Sequence, residues 1–309
     1  MTEGKPSGKC DVLLFGDYFC DLVITGLREI PRLGADIFGN QLEICPGGAY
    51  ILAYRLTQLG VRTRWAARFG NDLFSNHIRE SAELAGMDAA LFQKLDRPYR
   101  SMSLSFSYAH ERGFISHTDQ APALIPMKEI ISTQKPRWMV NTPFDGQPET
   151  LELLDFIHKE GGKVFSDCEY TTARLSDPGM RELLRRTDIF APNLSEASQL
   201  TGLTGIETNL ESLAEICPLV VLKCGQEGAY ARRGSQSWFE PAIDVQAVET
   251  TGAGDSFNAG FLAALLNGED MQTCLQYGNI CGGLSTQQPG GISVPISMEI
   301  IEDWQRRMT

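Results

Sequence analysis

The segment Val248-Glu-Thr-Thr-Gly-Ala-Gly-Asp-Ser-Phe-Asn258 sets a glycine-rich turn, Gly252-Ala253-Gly254, directly before a carboxylate, Asp255. A helical pattern starts near Asp255, with Phe257, Phe261, Ala264 and Leu265 on one face and Gly268 to close it. Small residues let a backbone come close to an anion, and first-turn N–H groups and the helix dipole point at it. A carboxylate is an awkward charge in such a place, unless it takes a proton from a hydroxyl that attacks a phosphate. The same residues also fit an ordinary helix start in which Asp255 is a first-turn acid favoured by the dipole, and the segment by itself leaves both readings open. It is not a nicotinamide fingerprint, because Phe257 stands where the third glycine should be. Nor is there a phosphate-binding P-loop, since Gly162-Lys163 lacks both the earlier glycine and the hydroxyl residue.

The elements that must position this turn alternate. Strand-like apolar runs at 11–15, 65–69, 138–141, 163–166, 188–191 and 219–223 are separated by helical patterns at 49–59, 74–85, 149–159 and 195–200. Such alternation with buried strands predicts an α/β fold, a mostly parallel sheet covered by helices on both faces. Segments 36–45 and 100–117 break the rhythm. Alternating residues such as Met102, Leu104, Phe106 and Tyr108 predict antiparallel strands there, projecting as a small flap. A flap suits phosphoryl transfer, which needs water kept from the reacting phosphate.

Composition narrows the function. With 27 Lys+Arg against 39 Asp+Glu in 309 residues, the net charge of −12 excludes the basic face a nucleic-acid binder needs. No apolar run approaches the roughly 20 residues that span a bilayer, and the run at 12–15 is too short for a signal-peptide core. A cytoplasmic protein without a membrane partner is expected. The eight cysteines form no C-x-x-C pair, so they are expected to be reduced and structural. His77, His110, His117 and His158 are scattered and form no ligand set.

Thr250-Thr251-Gly-Ala-Gly-Asp-Ser-Phe-Asn258 resembles the C-terminal signature of the ribokinase-like (PfkB) carbohydrate kinases. Three further motifs agree in order: Gly47-Gly48 before a helix ending at Leu59-Gly60, Pro192-Asn193-Leu-Ser-Glu196 before Leu200-Thr-Gly202, and Leu222-Lys223-Cys-Gly225 with Gly228. The resemblance covers nearly the whole chain. It implies a single domain over 1–309, a three-layer α/β/α body with a β lid from about 18–45 and 98–120, and often a homodimer through the lid. It also implies transfer of the γ-phosphoryl group of ATP, with Mg²⁺, to an alcohol on a sugar or sugar-like substrate. By matching position, Asp255 is the general base and the amides of Gly252, Ala253, Gly254 and Asp255 form the anion hole. Asn193 and Glu196 place Mg²⁺ and phosphates through water. Lys223, Gly225, Gly228, Thr250, Thr251 and Asn279 lie on the nucleotide side, with the 282–291 loop lining the adenine pocket. Asp21, Gly47 and Gly48 lie on the substrate side.

The substrate half departs from the family pattern. Leu52 falls where these kinases carry an asparagine that binds a substrate hydroxyl, and leucine cannot hydrogen-bond. Glu169, in Asp167-Cys-Glu-Tyr170, replaces a usual asparagine. Glu249 replaces an aspartate tied to a monovalent-cation site, which leaves K⁺ activation open. Tyr50, Leu52 and Phe19 could also wall a nucleobase, so a nucleoside kinase is the competing enzyme reading. A binding protein that keeps the fold without turnover is the third.

Overall fold

The computed structural model describes residues 10–108, 111–120, 125–140, 142–168 and 172–308. Its first strand, β1 (Val12–Phe15), shows the plan. Val12 and Leu14 enter one buried apolar cluster, while Leu13 and Phe15 enter another. A strand buried on both faces belongs inside a sheet with helices on each side. The chain continues through β2 (Tyr18–Thr25), β3 (Gln41–Gly48), α1 (Ala49–Gln58), β4 (Thr63–Phe69), α2 (Leu73–Leu84) and β5 (Phe92–Lys94) to a hairpin, β6 (Ser101–Tyr108) and β7 (Glu111–Thr118). There follow α3 (Met127–Gln134), β8 (Trp138–Val140), α4 (Pro148–Lys159), β9 (Lys163–Ser166), α5 (Met180–Arg185), β10 (Ile189–Phe190), α6 (Leu194–Thr201) and α7 (Ile206–Ala214). The last elements are β11 (Val220–Lys223), β12 (Ala229–Arg233), β13 (Gln236–Glu240), α8 (Ala253–Asn267), α9 (Met271–Ser285) and α10 (Met298–Met308).

The main sheet runs β13-β12-β11-β10-β9-β8-β1-β4-β5. Its pairings from β11 to β5 are parallel, and the β12–β13 hairpin adds an antiparallel edge that the alternation had not marked. Helices α1, α2, α8, α9 and α10 cover one face, and α3 to α7 the other. The expected three-layer α/β/α body is therefore present. Among the described residues no helix is long and apolar enough to cross a membrane, and all eight cysteines are free.

The flap is a second sheet in the order β3-β2-β6-β7. It differs from expectation in two ways. Its central pair, β2 with β6, is parallel, and β2 was not marked by alternation at all. Residues 36–40 are not strand; β3 begins at Gln41. Helix α8 differs too. An apolar stripe was expected, but residues from Ser256 to Ala264 are all buried, because α8 packs between α1 and α9. Buried on every side, it needs no polar face.

Candidate active site

In open parallel sheets ligands collect beyond the carboxyl ends of the strands, and this chain's chemical residues collect there. Asp167 follows β9, Asn193 follows β10, and Lys223 ends β11. With the start of α8 they line a cleft of about 550 Å³, large enough for a nucleotide. Of the expected residues, Gly48, Asn193, Glu196, Lys223, Gly225, Gly228, Thr250, Ala253, Gly254, Asp255 and Asn279 line it; Asp21, Gly47, Leu52, Gly252 and Thr251 do not. Glu169 lies outside the described residues.

Gly252 caps α8 with a left-handed φ of 71°, which an L side chain rarely adopts. That turn aims the start of α8 into the cleft. The amide of Ala253 is not part of an open anion hole, because it donates to the Thr250 carbonyl at 3.2 Å. Gly254 and Asp255 follow on the first turn, at the positive end of the helix dipole. The Asp255 carboxylate stands on the same turn.

Asn193 and Glu196 are brought together by a capping box. The Glu196 amide donates to Asn193 Oδ1 at 2.9 Å, and the Asn193 amide to Glu196 Oε2 at 2.8 Å. The motif therefore starts α6 as well as facing the cleft. Asn279 corrects a simpler expectation. Its Nδ2 donates to the Glu240 and Pro241 carbonyls, at 2.8 and 3.0 Å, so it chiefly holds the cleft wall. Gly282 and Gly283 belong to α9 rather than to a loop, and they line the cleft opposite Ala242, Ile243 and Val245.

The side expected to meet the substrate is built differently. The Asp21 carboxylate lies against Gly47, where any side chain would collide with it. Burial, and then the nearby Glu249, push its pKa up to about 6. Glu249 itself accepts from the Thr251 amide at 2.6 Å and the Gly290 amide at 3.1 Å, stapling the 289–294 loop to the α8 turn. On the β6 strand, Ser101, Ser103 and Ser105 are buried, and the register sets Ser103 beside Asp21. Ser103 and Ser116 hydroxyls meet at 3.0 Å. This hydroxyl-rich face was legible in the alternation Ser101-Met-Ser-Leu-Ser, whose apolar half alone was read.

Leu52 requires a correction. It is 1% exposed and packed in the core beside Tyr50 and Trp65, not at a substrate. Helix α1 starts at Ala49, and each residue turns about 100°. That phase carries Ile51 to the glycine turn instead: its Cδ1 lies 2.7 Å from where a Gly252 Cβ would stand. Tyr50, at 2% exposure, is also core, so of the three residues suggested as a nucleobase wall only Phe19 is not fully buried.

Sequence reasoning also missed Arg55. Its buried guanidinium donates to Gly291 O and Val294 O, both at 2.7 Å, to Gln58 Oε1 at 2.8 Å and to Ser256 Oγ at 3.3 Å. It thereby ties α1 to the start of α8 and to the 289–294 loop. An arginine on the buried face of α1 was the available signal.

The pfkB family carbohydrate kinase profile matches residues 38–297. The chain belongs to this family. It is 24% identical to a ribokinase of Haemophilus influenzae over 304 residues, covering 94% of this chain and 96% of that one. It is likewise 24% identical to a 2-dehydro-3-deoxygluconokinase of Bacillus subtilis over 314 residues, covering 91% of each. Among solved structures, Arabidopsis thaliana ribokinase complexed with ribose and ATP superposes with a TM-score of 0.79 at 20% identity, covering 95% of this chain and 98% of the other. Fold and family are those the sequence motifs implied, and the chain is a carbohydrate kinase.

Proposed function

We propose that this kinase transfers the γ-phosphoryl group of ATP to a hydroxyl of an uncharged sugar or sugar-like polyol. The carrying observation is the cleft wall on which a helix N-terminus, the Asp255 carboxylate and the Lys223 ammonium stand together. Asp255 accepts the hydroxyl proton, and the Gly254 and Asp255 amides receive the charge that develops on the phosphoryl oxygens. Gly225, Gly228 and Thr250 serve the nucleotide phosphates, Lys223 stands in the same cleft on Asp167, and the Ile243 and Val245 wall serves the base.

The donor set fits magnesium. Asn193 and Glu196 offer hard oxygen atoms to the cleft, and the described residues hold no cluster of three or more His, Cys, Asp or Glu that would make a resident metal site. That suits an ion held through water and shared with the nucleotide. Bound there, Mg²⁺ would neutralise charge on the β- and γ-phosphates.

Asp21 and the Ser103–Ser116 face favour a polyol, since a carboxylate accepts two hydroxyls and each serine can donate or accept. Glu249 already staples its loop through two amides, so this reading does not call on K⁺. The outer lid face supports a homodimer: Leu42, Ile44 and Ile115 are exposed and line up by register with Leu22, Ile24 and Leu104. Use of ATP and eight free cysteines favour a cytoplasmic location.

The test is ADP release from Mg·ATP across free sugars, acidic sugars, sugar phosphates and nucleosides. A free sugar should be the best acceptor. Turnover of nucleosides alone would replace the sugar reading, and phosphorylated acceptors alone would remove the uncharged-substrate reading.

A further inference from the structure

Of the described residues lining the cleft, Lys223 alone carries a positive charge. Its position is set by two other side chains from two other elements. Nζ donates to Asp167 Oδ2 at 2.8 Å and lies 3.5 Å from Asn258 Oδ1. Asn258, fully buried on α8 one turn beyond Asp255, donates Nδ2 to the same Asp167 oxygen. The other Asp167 oxygen accepts the Cys168 amide at 2.8 Å. The pair is sheltered, with side-chain exposures of 11% for Lys223 and 20% for Asp167. A methyl group on Gly254 would stand 3.4 Å from Nζ, so the ammonium rests against the first turn of α8.

We propose that Lys223 is a catalytic cation held in reserve by Asp167 and positioned by Asn258, and that it passes from Asp167 to the phosphoryl group as that group moves toward Gly254. This rests on the kinase reading above. The logic is differential binding. A lysine free to grip ATP would stabilise bound nucleotide and transition state alike, which lowers KM without raising kcat. A lysine occupied by a carboxylate gives its charge to the phosphate only when charge and proximity at Gly254 outcompete Asp167. In the step itself, the acceptor oxygen bonds to the γ-phosphorus while its proton goes to Asp255. The bond from that phosphorus to the bridging oxygen breaks, and its electron pair leaves on ADP. Lys223 keeps its three protons and exchanges only hydrogen-bond partners. Asp167 and Asn258 are positioning residues.

The test compares Mg·ATP binding by calorimetry with kcat on the best acceptor of the panel. Lys223→Met should bind Mg·ATP within about threefold of wild type and lose about 10²–10³ in kcat, with Lys223→Arg restoring part of it. Asp167→Asn should bind Mg·ATP several-fold more tightly while its kcat falls about tenfold, a split that a merely structural loss does not produce. If Lys223→Met, which strands the Asp167 carboxylate, does not fold, the double variant Asp167→Asn/Lys223→Met carries the test and should show the kcat of a lysine loss. Unchanged kcat without Lys223, or an Asp167→Asn variant weakened in ATP binding and kcat together, overturns the proposal. A wild-type chain that neither binds Mg·ATP nor turns over any acceptor overturns the kinase reading, and the proposal with it.

Discussion

The two halves of the proposed active site are made of different material. The phosphate half is mostly backbone: a left-handed Gly252, two helix amides, and glycines that keep side chains away. The proposed substrate half is mostly side chains on a second sheet, Asp21, Ser103 and Ser116. Backbone sites demand particular residue types at fixed spacing, so they are stringent in sequence. Side-chain sites depend on register and helix phase, which many sequences can supply.

The comparison breaks most sharply at Asp255. Asp255→Asn should keep Mg·ATP affinity and lose about 10²–10⁴ in kcat, as general-base loss does; near wild-type turnover would take Asp255 out of the chemistry. Next come two neighbouring residues with different roles. Leu52→Asn puts an amide into the apolar core and should cost about 3–4 kcal/mol, read by denaturant melts, with acceptor preference unchanged. Ile51→Asn, equally buried but packed on the Gly252 turn, should also lose stability and in addition lower kcat by about tenfold through that turn. Exchanged outcomes would mean that α1 has the other phase.

The lid gives a smaller effect. Ile44→Glu places a charge on the apolar outer face and should shift dimer to monomer in sedimentation velocity, at a cost to protomer stability below about 0.5 kcal/mol. Wild-type protein that sediments as a monomer would remove the lid contact.

Asp21 gives the last contrast, through pH. Its folded pKa, about 6, lies above its unfolded value near 3.9. The folded state therefore holds the proton more tightly. That contribution is complete below about pH 4 and is lost as pH rises through 6. Asp21→Asn should accordingly raise stability by about 1–2 kcal/mol at pH 7.5 and by almost nothing at pH 4, while kcat/KM for the sugar falls. A gain that is equal at both pH values would mean that the carboxylate carries no such burden.

The same contrast accounts for what was legible. The parallel body was readable because each strand is apolar on both faces, as β1 is, and the turn before Asp255 because only glycine suits its first φ. Leu52 was misplaced because it was assigned by its place in a family motif, and counting along a motif does not show that α1 turns this side chain into the core. The Lys223–Asp167–Asn258 cluster could not be read, since sheet order, not sequence proximity, unites β9, β11 and α8. Arg55 is of the same kind, since three of its four acceptors lie on α8 and the 289–294 loop, about 200 residues or more along the chain.

The parallel pairing at the centre of the lid has a consequence for how the protein is made. Cys20 pairs with Met102 and Ile24 with Phe106, and between them the chain builds β3, α1, β4, α2 and β5. Closing so long a loop before any pairing is gained carries an entropic cost, and non-local contacts of this kind form slowly. The β6–β7 hairpin can assemble locally, but the complete lid must wait for the first part of the body. On a ribosome, the lid sheet cannot close until the scaffold beneath it has emerged.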